Sequence, residues 1–113
     1  MADAELARLE RRYREVKSRL QELGFAIAGS VIERHTVCGA DNCRCQADPP
    51  QRHGPYFQYS RKVAGKTISR RLNAEQAQRY RDLIANRRTL DQITADMDEL
   101  SYQAAELLAR PTP

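Results

Sequence analysis

Three cysteines and one histidine fall close together in the middle of this chain, spaced C-x4-C-x-C-x7-H from Cys38 through Cys43 and Cys45 to His53. Soft thiolate and imidazole donors in that number suit one tetrahedral zinc ion held by four protein ligands. Gly39 beside Cys38 permits a close backbone approach, and Asp41-Asn42 lies in the loop before Cys43. His53 is the expected fourth ligand, because Gly54 and Pro55 fix the chain that leaves it; His35, in a strand-like stretch before Cys38, is its rival. A catalytic zinc keeps an open position beside a carboxylate base. Asp41 and Asp48 are near but form no such arrangement. The site therefore reads as closed and structural, and the chain as a protein that is not an enzyme. Redox work would be signalled by C-x-x-C near a βαβ unit, and neither is present. Three buried core cysteines would be the plain alternative, but a polar loop rich in Gly and Pro is a poor core.

Downstream lies a second group with chemical meaning. Ser60-Arg61-Lys62 and Lys66-Thr67-Ile68-Ser69-Arg70-Arg71 place five cations on two short strands, with Tyr56, Phe57 and Tyr59 leading into them. Cations interleaved with aromatics are what phosphate contact and base stacking require. The expected nucleic-acid contacts are Arg61, Lys62, Lys66, Arg70 and Arg71, with Tyr56 and Tyr59 for stacking and Arg44 extending the patch from the cysteine loop; Arg52 could add to it. A solvated ribbon whose aromatics form a small core is the alternative. Strand alternation puts Tyr56 and Ser60 on one face and Phe57, Tyr59 and Arg61 on the other, and only one of these faces can be core. The acidic run Asp96, Asp98, Glu99 reads as a solvated helix face.

The elements that must position these groups are legible from periodicity. Leu6, Leu9, Tyr13, Val16, Leu20 and Leu23 recur at the spacing of a coiled-coil seam, predicting a helix over 4–23 with Asp3 as N-cap and Gly24 at its stop. A longer helix is predicted over 74–109, opened by an Asn73/Gln76 capping box and ended by Pro111 and Pro113. Its seam runs Leu83, Leu90, Met97, Ala104 and Asn86, Ile93, Leu100, Leu107; the lone polar Asn86 suits a device that fixes register or oligomeric state. Between the helices, Phe25–Val37 holds good strand formers, and Tyr56–Val63 and Lys66–Leu72 read as a hairpin turning at Ala64-Gly65, a place where Ala is less than ideal. The segment from Ala47 to Pro55 is a loop.

A chain of 113 residues with 30% charged and 6% aromatic residues and no Trp has a lean core, and its length suits one domain. The net charge of +4 is concentrated: residues 30–72 hold eight Lys/Arg against three Asp/Glu, whereas residues 73–113 hold five against seven. Zinc bound to three thiolates would remove one unit from the middle, which stays basic. The N-terminus lacks the basic start and apolar stretch of a signal peptide, and no apolar run suggests a membrane span. Clustered thiols of odd number fit a reducing compartment, so the expected location is cytoplasmic.

The strings Gly29-Ser30, Cys38-Gly39, Cys43-x-Cys45, His53-Gly54-Pro55-Tyr56, Ser60-Arg61-Lys62 and Gly65-Lys66-Thr67 resemble a family of small bacterial proteins of unknown function, with a helix on either side of a core at about 29–72. The resemblance implies that Cys38, Cys43, Cys45 and His53 belong to one unit, and implies no activity. Pro49-Pro50-Gln51-Arg52 before the histidine departs from it, at a place where length is expected to vary.

Together these readings give an α+β protein: a two-helix antiparallel coiled-coil stem (1–24 and 73–110) and a small Cys3His zinc-stabilised antiparallel β-hairpin head (25–72). At 1.5 Å per residue the helices span about 30 and 54 Å, which would leave the last ten to fifteen or so residues of the longer one without an intramolecular partner. A homodimer, or a helical protein partner, is expected to cover that stripe. The expected function is nucleic-acid binding as an accessory factor, the alternative a protein–protein adaptor with a purely structural zinc head.

Overall fold

A computed structural model describes residues 2–40, 42–47 and 51–111. In chain order it contains helix α1 (Ala2–Ser18) continued by a 3-10 turn (Arg19–Glu22), strand β1 (Ser30–Thr36), a 3-10 turn (Arg44–Gln46), strands β2 (His53–Val63) and β3 (Lys66–Leu72), and helix α2 (Ala74–Ala109). The α+β class expected from the sequence is present. Instead of a bare hairpin, however, the strands form a three-stranded antiparallel sheet ordered β1-β2-β3. The chain divides into two compact units, residues 27–84 and residues 1–26 with 85–113; α2 contributes its first turns to one and the remainder to the other.

In the sheet unit the two-residue period of the strands sorts every side chain. Cross-strand partners share a face, and the register pairs Tyr59 with Val31 on one side and Arg70 on the other, and Phe57 with Glu33 and Leu72. That face is the core side: Phe57, Tyr59 and Leu72 are buried together with Ala77 and Ile84 from α2, with Ile27, Val31 and Tyr80 packed around them. The Tyr59 and Tyr80 rings meet edge to face at 4.9 Å. The Tyr59 hydroxyl donates to the Ala28 carbonyl, which satisfies the polar end of a buried ring. The Ile27 amide donates to the Leu83 carbonyl at 3.1 Å, tying the strand approach to the helix. The capping box is formed in both directions: the Asn73 amide donates to Gln76 Oε1 at 2.9 Å, and the Gln76 amide donates to Asn73 Oδ1 at 2.8 Å.

The helical unit differs from its sequence reading in two places. Asp3 lies inside the first turn of α1, not before it. Asn86, expected to act within the seam, donates instead from Nδ2 to the Phe25 carbonyl at 2.9 Å. It thereby satisfies a main-chain acceptor on the segment that follows the 3-10 turn. Residues 74–84 belong to the sheet unit, and toward the end of α2 Tyr102 is 65% and Leu108 71% exposed. Leu9, Tyr13 and Lys17 line a groove with Leu100, Ala104 and Leu108, while Phe25 meets Asn86, so the two segments run past each other in opposite senses. Val16 on α1 and Ile93 on α2 are fully buried there, whereas Leu6, Leu9, Leu90, Met97, Leu100 and Leu107 are half-buried. Pro113 lies outside the described residues.

The β2–β3 turn has φ of 51° at Ala64 and 79° at Gly65. Positive φ at both central residues is the geometry whose twist matches a tight hairpin, and it favours Asn-Gly. For Ala the left-handed region costs about 1 kcal/mol. Ala64→Asn is therefore expected to raise unfolding stability by about 0.5–1 kcal/mol, read as a higher urea midpoint at unchanged slope.

Candidate metal centre

The four ligand candidates are assembled by the open end of the β1–β2 pair. β1 ends at Thr36, which pairs with His53, the first residue of β2. Cys38 lies just beyond Thr36, while Cys43 precedes the Arg44–Gln46 turn and Cys45 sits inside it. Backbone bonds wind this loop around the thiols. The Cys43 amide donates to the Ala40 carbonyl at 3.3 Å, the Gln46 amide to Cys43 at 2.9 Å, and the Gln51 amide to Arg44 at 3.0 Å. Gly54 is required where it stands: its φ is +122°, and a Cβ there would approach the Arg34 carbonyl oxygen to 2.7 Å. The strand can thus pass β1 closely enough to turn His53 toward the cysteines only without a side chain at that point.

The donor atoms of Cys38, Cys43, Cys45 and His53 all lie within 4.8 Å of one another. Cys38 Sγ is 3.4 Å from Cys45 Sγ, and Cys43 Sγ is 3.1 Å from His53 Nε2. A tetrahedron with metal–sulfur bonds near 2.3 Å has edges of about 3.8 Å, so the group is of a size to close on one ion with small adjustments. Cys45 is 1% exposed and the other three are half-buried. The Cys38 amide points at Cys45 Sγ from 3.3 Å, the kind of donor that supports a thiolate ligand. His35 lies outside the group, with Nε2 3.7 Å from Glu33 Oε1. Of the two histidines, His53 is the one within the group. Asp41 and Asp48 lie outside the described residues.

The thiols differ in acidity. The backbone N–H of Cys45 lowers Cys43 to about 6, helped by the side chains of Cys45, Cys38 and His53. Burial pushes Cys45 up, with the Cys38 and Cys43 thiols adding to the effect. A metal displaces the thiol protons, so affinity rises with pH.

The cationic residues are all exposed but do not form one patch. Cross-strand pairing places Arg61, Lys66 and Arg70 on the core side of the sheet, at the end away from the buried residues, and Lys62 and Arg71 on the opposite face. Arg34 of β1, which the sequence reading passed over, joins the second set through the Arg34–Tyr56 pair. Its signal was the Ile32–Arg34 alternation, which acquires meaning only once β1 is known to pair with β2. Tyr59, expected as a stacking platform, is buried and belongs to the core. Tyr56 points the other way, beneath the Arg71 guanidinium at 4.1 Å from its ring centre. Arg44 is exposed within the cysteine loop, and its carbonyl accepts from Gln51.

Residues 6–82 match a domain of unknown function (DUF6788), and the chain belongs to that uncharacterised family. No curated protein and no solved structure matches the chain. No helix among the described residues is long and apolar enough to cross a membrane.

The geometry leads to one expected outcome for metal loading. Full-length protein should bind one divalent ion per chain, with cobalt giving the spectrum of a tetrahedral thiolate site. His53→Ala should weaken binding by at least about tenfold while His35→Ala leaves it unchanged, and affinity should rise between pH 6 and pH 8. Equal loss in both histidine variants would overturn the ligand assignment.

Proposed function

We propose that this chain is a zinc-stabilised nucleic-acid-binding module whose helical unit, an antiparallel coiled-coil stem, joins two copies. Zinc is the metal that a closed set of three thiolates and one imidazole best suits. Its role in this reading is structural: it holds together the loop between β1 and β2, which has few apolar side chains to bury. The observation that carries the binding role is the outward face of the sheet. Arg34, Tyr56, Gln58, Lys62 and Arg71 share it, and no Asp or Glu occurs among its paired positions. A cationic surface without acids attracts phosphates by charge alone and sets a salt-sensitive affinity. The role is one of binding and positioning, with no reaction assigned.

A second observation favours the dimer. Residues 8–19, the later part of α1 and the start of the turn that continues it, carry six Lys/Arg against two Asp/Glu, whereas residues 91–109 of α2 carry five Asp/Glu and no Lys/Arg. Among the described residues these two stretches form no ion pair with each other. A second copy turned about a twofold axis would lay α1 of one chain along α2 of the other, matching both charge and the half-buried seams. The adaptor reading uses the same helical surface for a different protein.

Titration with single- and double-stranded DNA and RNA at two salt concentrations tests the binding role. Each phosphate contact contributes about 0.7–0.9 to the slope of log affinity against log salt, so binding should fall steeply with salt. It should be largely lost when Arg61, Lys62, Arg70 and Arg71 are all changed to Ala. Equal weak binding by both proteins would remove the reading. Sedimentation should show a dimer that Leu108→Glu converts to monomer with helix content unchanged; Leu108 lines the inter-helix groove and is 71% exposed.

A further inference from the structure

The outward sheet face carries more than charge. Its central strand presents Tyr56, Gln58, Ser60 and Lys62, flanked by Ile32 and Arg34 on β1 and by Ser69 and Arg71 on β3. Arg34 Nη1 donates to Gln58 Oε1 at 2.8 Å, and the Ser60 and Ser69 hydroxyls are 3.2 Å apart. The Arg71 guanidinium lies over the Tyr56 ring at 4.1 Å. Ile32 is 48% exposed, so an apolar side chain stands open to water among these polar ones. Such a surface combines flat groups for stacking, an apolar spot, amide and hydroxyl groups that can meet base edges, and cations for phosphates. Simple phosphate binding needs only the last of these.

The width of the face selects the form of the nucleic acid. Strands lie about 4.8 Å apart, so three of them present a plate about 14 Å across. The B-form major groove is about 12 Å wide and admits two strands. The A-form major groove is deeper and narrower still. A three-stranded plate matches neither major groove, and its stacking groups need base faces that a duplex keeps stacked, so bases already free of a partner suit it best. Resting on the nucleic-acid reading above, we propose that this face binds single-stranded nucleic acid, with bases stacking on Tyr56 and the Arg71 guanidinium, Gln58 meeting base edges, and Arg34, Lys62 and Arg71 holding phosphates. Arg61, Lys66 and Arg70, on the other side of the sheet, take no direct part.

The test uses full-length, metal-loaded protein with a 12-nucleotide oligo-uridylate, the matching oligo-thymidylate and a 12-base-pair duplex. One or both single strands should bind at least tenfold tighter than the duplex. Three phosphate contacts predict a fall of roughly twentyfold between 50 and 200 mM salt. Tyr56→Leu should weaken single-strand binding by about tenfold or more, with Tyr56→Phe restoring it. The Arg34/Lys62/Arg71 triple alanine variant should lose binding, whereas the Arg61/Lys66/Arg70 triple should change it less than threefold. Metal stoichiometry and circular dichroism of each variant report whether the fold is kept, and the Phe variant keeps the test decisive if Leu disturbs it. Duplex bound as tightly as single strands, or loss in the Arg61/Lys66/Arg70 variant with Tyr56→Leu unaffected, would overturn this proposal and leave nucleic-acid binding standing. Failure of the wild-type protein to bind any of the three probes at low salt would overturn both.

Discussion

The sheet unit depends on the packing of one face of three strands against the first turns of α2. Phe57, Tyr59 and Leu72 lie opposite Ala77 and Ile84, and little else is buried there. Side chains of this size contribute about 1.5–3 kcal/mol each when removed from water, and this contact is where most of that burial in the sheet unit occurs. Its geometric consequence is as important as its energy. Because the strand period is two, covering one face with a helix turns the alternate residues to the other face, where they are exposed or half-buried. The surface that bears Tyr56 and Arg71 exists because Phe57 and Leu72 are used for the core.

The cysteine cluster answers a different need. The hydrogen-bond ladder of β1 and β2 ends at the Thr36–His53 pair, and the connection beyond it carries few apolar side chains. Short main-chain turns gather the thiols, and Gly54 lets β2 approach β1 closely enough for His53 to meet Cys43. A tetrahedral ion would link both strand ends through this loop, replacing the apolar core that the segment lacks. Order at that end of the sheet and the register of its outward face are then coupled, since both depend on where His53 begins β2.

The helical unit is built on weaker terms. Its seam residues are mostly half-buried, which is the burial expected where only one neighbour is present. Basic residues concentrate in the later part of α1 and the turn after it, and acidic ones on the second part of α2, yet among the described residues the ion pairs formed are local ones such as Arg12 with Glu15. Exposed pairs of this kind contribute little to stability. In the proposed dimer the uneven charge would serve recognition, since like-charged surfaces repel wrong partners and complementary ones steer right ones.

Much of this was legible in the residues themselves. Ligand type and spacing marked Cys38, Cys43 and Cys45, with His53 preferred over His35, and the structure groups these four; the heptad steps marked both helices. Asn73 with Gln76 determined the start of α2, and Ala64-Gly65 the β2–β3 turn. All of these are local signals, readable within a few residues because they rest on bond geometry, side-chain reach and helical period. The sequence left two matters open that only the tertiary structure decided. The first is which strand face is core: alternation separates Tyr56 from Tyr59 but is symmetric, and only the docking of Ala77 and Ile84 breaks the symmetry. The second is which part of α2 accompanies α1. A periodic seam can pair in several registers at similar local energy, and helix length alone does not foretell that residues 74–84 belong with the sheet. Arg34 was missed for the same reason: its importance lies in a neighbour on another strand, and partnership between distant segments is a property of the folded chain.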